Sequence, residues 1–522
     1  MITWGITAAV IAILVVMMGW PGLFISAVLS AGVLIAFMDD GTGNTPLRRH
    51  RDKARMKYRR RRGYVDFVPV DYRPADLDPA AGATRRERAS LRREYNAYRE
   101  WPDGVDGLYW LEKRPGRPAI AYHAPTGESP YVSVAFTVDG PIQGLHGDGF
   151  VADAQWRFGQ LMAGWGASQK LVSAIQTVTR VLPSDSAFHE LWLEGEIDPA
   201  APRELQQDYG RLLDQLSDAS FVQRHYAVIR WDADARFMSI ARRRGAGLDG
   251  IADLIREQTV SAERRLADSM FHRVRALSGP QLGAVLRHLQ HPDWAIDRAS
   301  DVNVDNCWLS SHDEWSHTEV VAESPDPLAP ELLLAQSSWF HRTAEIPIDA
   351  IEVREIDGLW EAPMLTRMEE QIVRTISSHI HFVPAREAKI GARRDATLDR
   401  ADIIAQEKKR RIVDDESELS LSAAVRRYDD LRQGSGHHGA AWKQFVTVSA
   451  RDKEELAAVC SYIEEAADEA GINRLDWLDT LQSAASATTW PLARGMAPPK
   501  RTTANKATKA LTATTPKEAM VS

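Results

Sequence analysis

Met1 to Met38 carries no charged side chain, and Asp39 and Asp40 are the first charges after it. As one helix at 1.5 Å per residue this stretch would be roughly 57 Å long, far more than a hydrocarbon core of about 30 Å requires. Trp20-Pro21-Gly22 interrupts it near the middle. Proline cannot extend the helical hydrogen-bond ladder and glycine takes turn dihedrals cheaply. The pattern therefore predicts a tight membrane hairpin, Ile2 to Gly19 and Leu23 to Met38, turning at Pro21 and Gly22. Trp4 and Trp20 are its candidate interface anchors. Each arm is short for a span, so a shallow re-entrant hairpin is the alternative. A secretory signal peptide would need a basic first segment, and Met1 to Gly5 has no lysine or arginine.

Beyond the hairpin the hydrophobic pattern changes period repeatedly. Thr84 to Tyr98 reads as a helix opened by the capping box Thr84-Arg85-Arg86-Glu87. Gly107 to Leu111, Ala119 to His123 and Tyr131 to Val138 read as strands, the last alternating through Val132, Val134, Phe136 and Val138. A helix over 150–165, a strand over 171–182, a helix over 203–216 and a strand over 225–231 follow. This interleaving predicts an α+β fold with ferredoxin-like or related units. A long charged helix over 248–277 and a shorter one over 280–288 complete the first half.

The second half repeats the logic. Strands are predicted at 332–346 and 373–383, with a helix near 362–370 between them. Ala385 to Arg432 is densely charged, keeps helical periodicity and has no internal proline, which predicts a helical hairpin bending near Asp414-Asp415. A strand over 444–450, a helix over 453–470 closed by Gly471, a strand over 472–477 and a helix from Thr480 end the body. Six segments result: a hairpin (1–38), a basic juxtamembrane connector (39–103), a first α+β unit (104–291), an irregular connector (292–330), a second α+β unit (331–495) and a disordered tail (496–522), rich in Thr, Lys, Ala and Pro.

Charge fixes the expected orientation. Arg48, Arg49, Arg51, Lys53, Arg55, Lys57 and the run Arg59, Arg60, Arg61, Arg62 form a cationic block with Asp52 its only acid. Positive charge beside a span is retained in the cytoplasm, so a two-pass protein of the cytoplasmic membrane with both termini inside is expected. Arg48, Arg49 and Arg59 to Arg62 would then contact the anionic inner leaflet. The whole chain of 522 residues has a net charge of -8, so the remainder is acidic and direct nucleic-acid binding is not favoured. The length calls for two or more soluble units. Two cysteines far apart, Cys307 and Cys460, exclude a disulfide framework.

Motifs of catalysis are missing. No Walker A loop and no Gly-x-Ser-x-Gly elbow occurs. Gly434 to Gly439 matches G-x-G-x-x-G but follows a charged helix and precedes a strand, the reverse of what phosphate binding at a helix N-terminus needs. His379 and His381 lie two apart on a predicted strand and so face one side, a spacing some metal sites use. His312 and His317 could add ligands, yet no Cys-x-x-Cys or His-Glu-x-x-His accompanies them. No catalytic residue, cofactor or metal is assigned from the sequence, and a metal-dependent enzyme using His379 and His381 stands as an alternative.

In this order the motifs resemble a group of membrane-anchored proteins from actinobacterial conjugative elements, parts of type IV secretion-like machinery. The stretches are Arg62-Gly63-Tyr64, Ala135 to Val138, Gly164-Trp165-Gly166, Val178 to Pro183, Arg374 to Ser377, Pro384-Ala385-Arg386, Gly436-His437, Phe445 to Val448, Ala466 to Gly471 and Trp490 to Gly495. The hairpin with its basic exit is similar to PrgI-type small subunits, and the body looks like the non-ATPase N-terminal region of the conjugative secretion ATPase. The resemblance implies a non-catalytic scaffold or coupling subunit that tethers or recruits a separate secretion ATPase. The charged hairpin would face that partner or a second copy. A membrane component of a type VII secretion system is the nearest rival, and a DNA-binding subunit acting through the basic block is another.

Overall fold

The computed structural model describes residues 46–496, except 83, 141–145, 168–169, 184–201, 219–220, 270, 295, 297–301, 322–336, 353–358, 367–371, 409–414 and 433–436. The expected membrane hairpin, with Trp4, Trp20, Pro21 and Gly22, lies outside the described residues, as do the side chain of Arg48 and residues 497–522 of the expected tail. Met496, placed with the tail by composition, is a buried core residue. Among the described residues no helix is long and apolar enough to cross a membrane.

The fold is mixed α+β around one large sheet. Its strands are β1 (Asp66–Pro69), β2 (Tyr98–Arg99), β3 (Leu108–Glu112), β4 (Ile120–His123), β5 (Tyr131–Asp139), β6 (Ala174–Pro183), β7 (Phe221–Asp232), β8 (His272–Ala276), β9 (Ser310–Asp313), β10 (Thr318–Val321), β11 (Ser338–Ile346), β12 (Val373–Val383), β13 (Gly439–Ala450) and β14 (Asp476–Trp477). The order across the sheet is β2-β1-β9-β10-β11-β13-β12-β6-β7-β5-β4-β3, with β14 pairing β11 and β8 pairing β5. That order contains a repeat. β3-β4-β5-β7-β6 in the first half matches β9-β10-β11-β13-β12 in the second, and β8 flanks β5 as β14 flanks β11. The halves meet where β6 and β12 pair antiparallel, from Val181 opposite Arg374 to Ala174 opposite His381.

This continuity corrects the expected irregular connector. Residues 292–330 contain β9 and β10, and these carry the sheet onward to β1. Ser310-Ser311-His312-Asp313 has no apolar alternation to announce a strand. Pairing with neighbours on both sides makes it one.

Both faces of the sheet are covered. Helices α3 (Asp148–Gly166), α5 (Ala235–Arg242) and α6 (Gly247–Asp268) cover the first half on one side. There Leu161, Trp165, Leu254 and Ile255 pack on Val134, Phe136, Ile175, Ile229 and Trp231. Helix α11 (Lys453–Glu469) does the same for the second half, setting Leu456, Val459 and Ile463 against Ala344, Ile376, Val446 and Val448. On the opposite face lie α7 (Gly279–Gln290), α12 (Gln482–Ser486) and the chain that follows it, bringing Leu286, Leu289, Trp490 and Leu492 onto Val178 and Val228.

Local signals explain several boundaries. Thr84 and Glu87 form the predicted capping box, at 3.1 and 3.0 Å, and start α2 (Arg85–Ala97). The helix expected over 248–277 instead stops at Asp268, because residues 272–276 pair with β5. Helix α8 is a single turn, Ala362–Leu365. Helix α4 (Arg203–Asp218) connects β6 to β7. The charged hairpin, α9 (Ala385–Lys408) and α10 (Asp415–Asp430), takes the matching place between β12 and β13. Arg427 pairs with Asp395, and Ser420 Oγ donates to Asp399 at 3.2 Å, holding α9 and α10 together. Of the bend expected near Asp414-Asp415, Asp415 begins α10 and Asp414 lies outside the described residues.

Candidate functional site

The cationic block folds as helix α1 (Pro46–Arg62). Met56 and Arg59, three residues apart, are buried, while Arg49, Arg51, Lys53, Lys57, Arg60, Arg61 and Arg62 are exposed. One stripe of the helix therefore docks on the body and the rest presents positive charge. At its end Gly63 adopts φ +78°, and a Cβ there would lie 2.0 Å from the Arg93 carbonyl oxygen, so only glycine makes this turn.

Arg59 is where the structure departs from the sequence grouping. Its guanidinium contacts Asp313 at 2.8 Å and Asp103 at 2.5 Å. It also donates to the carbonyls of Thr480 at 2.7 Å and Tyr64 at 2.9 Å. Asp313 in turn accepts from the Ser483 amide at 2.9 Å. Burial pushes the Asp313 carboxyl up, against the pull of Arg59. Arg59 is thus turned into the body, away from the surface formed by Arg60, Arg61 and Arg62. Sequence reasoning missed this, although Met56, the one large aliphatic residue between Arg48 and Arg62, marks the docked face by its helical phase.

Helix α2, read from sequence only as a connector, enlarges the cationic surface. It packs against α1, and Asn96 Nδ2 donates to the Arg62 carbonyl at 2.8 Å. Arg85, Arg86, Arg88, Arg92 and Arg93 are all exposed. Between α1 and the β14–α12 region lies a cleft of about 580 Å³.

The second feature is a buried polar layer on the sheet face beneath the closing segment 487–496. Gln176 Nε2 donates to Ser377 Oγ at 2.8 Å and to the Trp490 carbonyl at 2.9 Å, and its Oε1 accepts from the Ala493 amide at 2.7 Å. Arg180 reaches Thr375 Oγ1 at 2.8 Å. Arg230 pairs with Asp232 at 2.8 Å and donates to the Met496 carbonyl at 3.2 Å. Thr343, Thr447 and Thr489 form a hydroxyl chain with steps of 2.8 and 2.9 Å.

His379 and His381 lie in this layer on one face of β12, as their spacing requires, and both are buried. His379 Nε2 donates to the Thr488 carbonyl at 2.8 Å, and burial pushes its pKa down to about 4. His381 Nε2 lies 3.9 Å from Asp232. His312 is engaged elsewhere, 2.6 Å from Asp66, whose hydrogen bond raises the imidazole pKa. His317 stands 3.9 Å from Glu314. Among the described residues no three His, Cys, Asp or Glu side chains are placed to hold a metal ion. Cys307 and Cys460 are unpaired and buried, and burial pushes both thiols up.

The buried imidazoles give a pH prediction. Burial lowers His288 and His341 to about 3 and His379 to about 4. Folded values below the unfolded value of about 6.5 mean that their contribution is complete above that pH and is lost as pH falls toward the folded values. Each should remove on the order of 1 kcal/mol per pH unit in that window. Asp313 and Glu361, raised by burial, act in the opposite sense and offset part of the loss. Thermal melts of the purified full chain should be flat in this respect from pH 7 to 8 and fall steeply from pH 6.5 to 4.5. A rising melting temperature over the acid range would contradict the neutral, buried assignment.

Compared with known proteins, the chain matches no protein-family model and no curated sequence. Fold and geometry together define a mixed α+β protein built on one large sheet, with a cationic helix locked onto its flank.

Proposed function

We propose that this protein is a non-catalytic scaffold of the cytoplasmic membrane, a coupling subunit of a type IV secretion-like conjugative DNA-transfer apparatus that tethers or recruits a separate secretion ATPase. In this reading residues 1–38 anchor as a two-span hairpin, both termini are cytoplasmic, and two ferredoxin-like units form the body. The observation that supports it most is the lock between α1 and the body at Arg59. A charge-free stretch followed by a flexible basic linker would only hold a body near a bilayer. Here the basic helix is bonded to Asp313, Asp103 and Thr480, so orienting the helix orients the sheet. The exposed charges of α1 and α2 suit the anionic inner leaflet. The α9–α10 hairpin offers a further surface for the ATPase or a second copy.

The test is a mild-detergent pull-down of tagged full-length protein from its native host, with partners identified by mass spectrometry. Recovery of a conjugative secretion ATPase and its membrane neighbours supports the reading. Type VII components would reassign the protein, and a partnerless protein would sink the scaffold idea. A second test follows from the outward face of α1. Arg60, Arg61 and Arg62 replaced together by glutamate should weaken leaflet attraction by more than roughly 3 kcal/mol, since about 1 kcal/mol per basic residue is lost and each glutamate adds repulsion. Recovery of the complex should drop, or the topology invert, while the melting temperature holds. Unchanged recovery and topology would count against the membrane role of these residues.

A further inference from the structure

We infer that the cleft between α1 and the β14–α12 region is a binding site for one anionic phospholipid headgroup. This inference rests on the membrane reading above and gives it a defined ligand. Arg51 and Lys53 on α1 supply the cationic wall; both are exposed, and neither has an ion-pair partner among the described residues. The facing wall is Trp315, Trp477, Leu478 and Leu481, all half-buried. Trp477 is a fixed surface, with its ring under the Arg342 guanidinium at 4.4 Å and its Nε1 donating to Glu464 at 2.6 Å.

The cleft also has two carboxylates, and both are engaged. Asp479 lies 3.4 Å from Arg342, and Asp52 lies 3.6 Å from Arg55. What remains unsatisfied is a pair of cations opposite an apolar and aromatic wall. A free inorganic anion would meet the cations and leave that wall wet. A phosphodiester carrying glycerol and the first acyl carbons fills both, and about 580 Å³ lies within the usual range of small-ligand sites.

Chain length places the site within reach of a bilayer. From Met38 to Pro46 the chain spans at most about 29 Å, and five helical residues to Arg51 add about 7.5 Å. The cationic wall therefore sits no more than about 36 Å from the end of the charge-free stretch. Arg51 and Lys53, two positions apart on α1, reach the cleft from either side of the helix, and only residues lining the cleft should matter to stoichiometric binding, which distinguishes a defined site from the diffuse attraction of the whole block.

The experiment is native mass spectrometry of the detergent-purified full-length chain titrated with dioctanoyl phosphatidylglycerol, alongside membrane fractionation of the same proteins. The wild type should retain one lipid at saturation. Arg51→Glu with Lys53→Glu should weaken that retention at least tenfold, whereas Arg88→Glu with Arg92→Glu, the same charge change on α2, should not. Phosphatidylcholine should not be retained. Inorganic phosphate and poly-glutamate at matched concentration should not displace the lipid. Equal losses in the two double variants would show diffuse attraction and overturn the site. Displacement by phosphate would assign it to a free anion, and displacement by poly-glutamate to an acidic protein segment; either result overturns the lipid assignment. Absence of lipid binding in a protein that still fractionates with membranes would overturn this inference alone. Loss of the wild type from the membrane fraction would overturn the anchor reading beneath it.

Discussion

Arg59→Ala should destabilise the protein by about 3–5 kcal/mol, the usual cost of removing one partner from a buried ion pair. Arg59 is 6% exposed, and Asp313, its partner at 2.8 Å, is 2% exposed. Without the guanidinium, Asp313 keeps its contact with the Ser483 amide but stays buried with no counter-charge. The Thr480 carbonyl loses its donor as well. Because these partners belong to β9 and to the segment leading into α12, the loss is felt at the junction of α1, the second half of the sheet and the closing segment. Arg60→Ala, on the exposed side of the same turn, should shift stability by no more than about 0.5 kcal/mol. Denaturant titration of the full chain in mild detergent separates the two. Equal midpoints would show that the buried contacts of Arg59 hold nothing, and membrane attraction alone would then account for the run of arginines.

Gln176→Leu should cost on the order of 3 kcal/mol and release the closing segment before the rest of the fold opens. The side chain of Gln176 is fully buried and serves backbone groups on both sides of Pro491, the Trp490 carbonyl at 2.9 Å and the Ala493 amide at 2.7 Å. Leucine fills similar space but leaves the Ala493 amide without water or partner, at about 1–3 kcal/mol, and takes one of two donors from the Trp490 carbonyl, which keeps the Leu492 amide at 2.7 Å. Neighbouring backbone raises the stakes. Ala493 holds φ +54°, an uncommon conformation for a residue with a Cβ, and it persists because surrounding contacts fix it. Those contacts include Tyr131 Oη donating to the Ala493 carbonyl at 3.2 Å and Arg494 Nη2 donating to the Asp106 carbonyl at 2.7 Å. Limited proteolysis should cut the variant within 482–496 much faster than the wild type, with global unfolding following at lower denaturant. Ser377→Ala removes only one side-chain acceptor and should cost about 1 kcal/mol. A Gln176→Leu protein as protease-resistant as the wild type would show that apolar packing of Trp490 and Leu492 holds the segment unaided.

Legibility in the sequence followed the strength of local signals. β12 runs from Val373 to Val383 as its alternation predicts, and the capping box at Thr84 starts α2 where it should. The charged hairpin was visible because long helical periodicity needs no partner to be recognised. β8, β9 and β10 were not, since each is short or polar and becomes a strand only through its neighbours. Of the candidate residues, Arg60, Arg61 and Arg62 lie on the surface as a solvated run should. His379 and His381 share a face but take carbonyl and carboxylate neighbours from distant elements instead of joining His312 and His317.

By itself the sequence determined the alternation of helices and strands, the charge-free start followed by a basic block, and the thiol state of two isolated cysteines, because each depends on residues near in the chain. The tertiary structure alone decided that both halves share one sheet, that its strand order repeats across the β6–β12 pair, and that Arg59 turns inward while its neighbours face out. It also decided that a short run near the end of the chain seals a polar sheet face through Gln176, Arg230 and His379. Those outcomes depend on hydrogen bonds and ion pairs between residues hundreds of positions apart. No window of local sequence contains both partners, so periodicity and spacing cannot reach them.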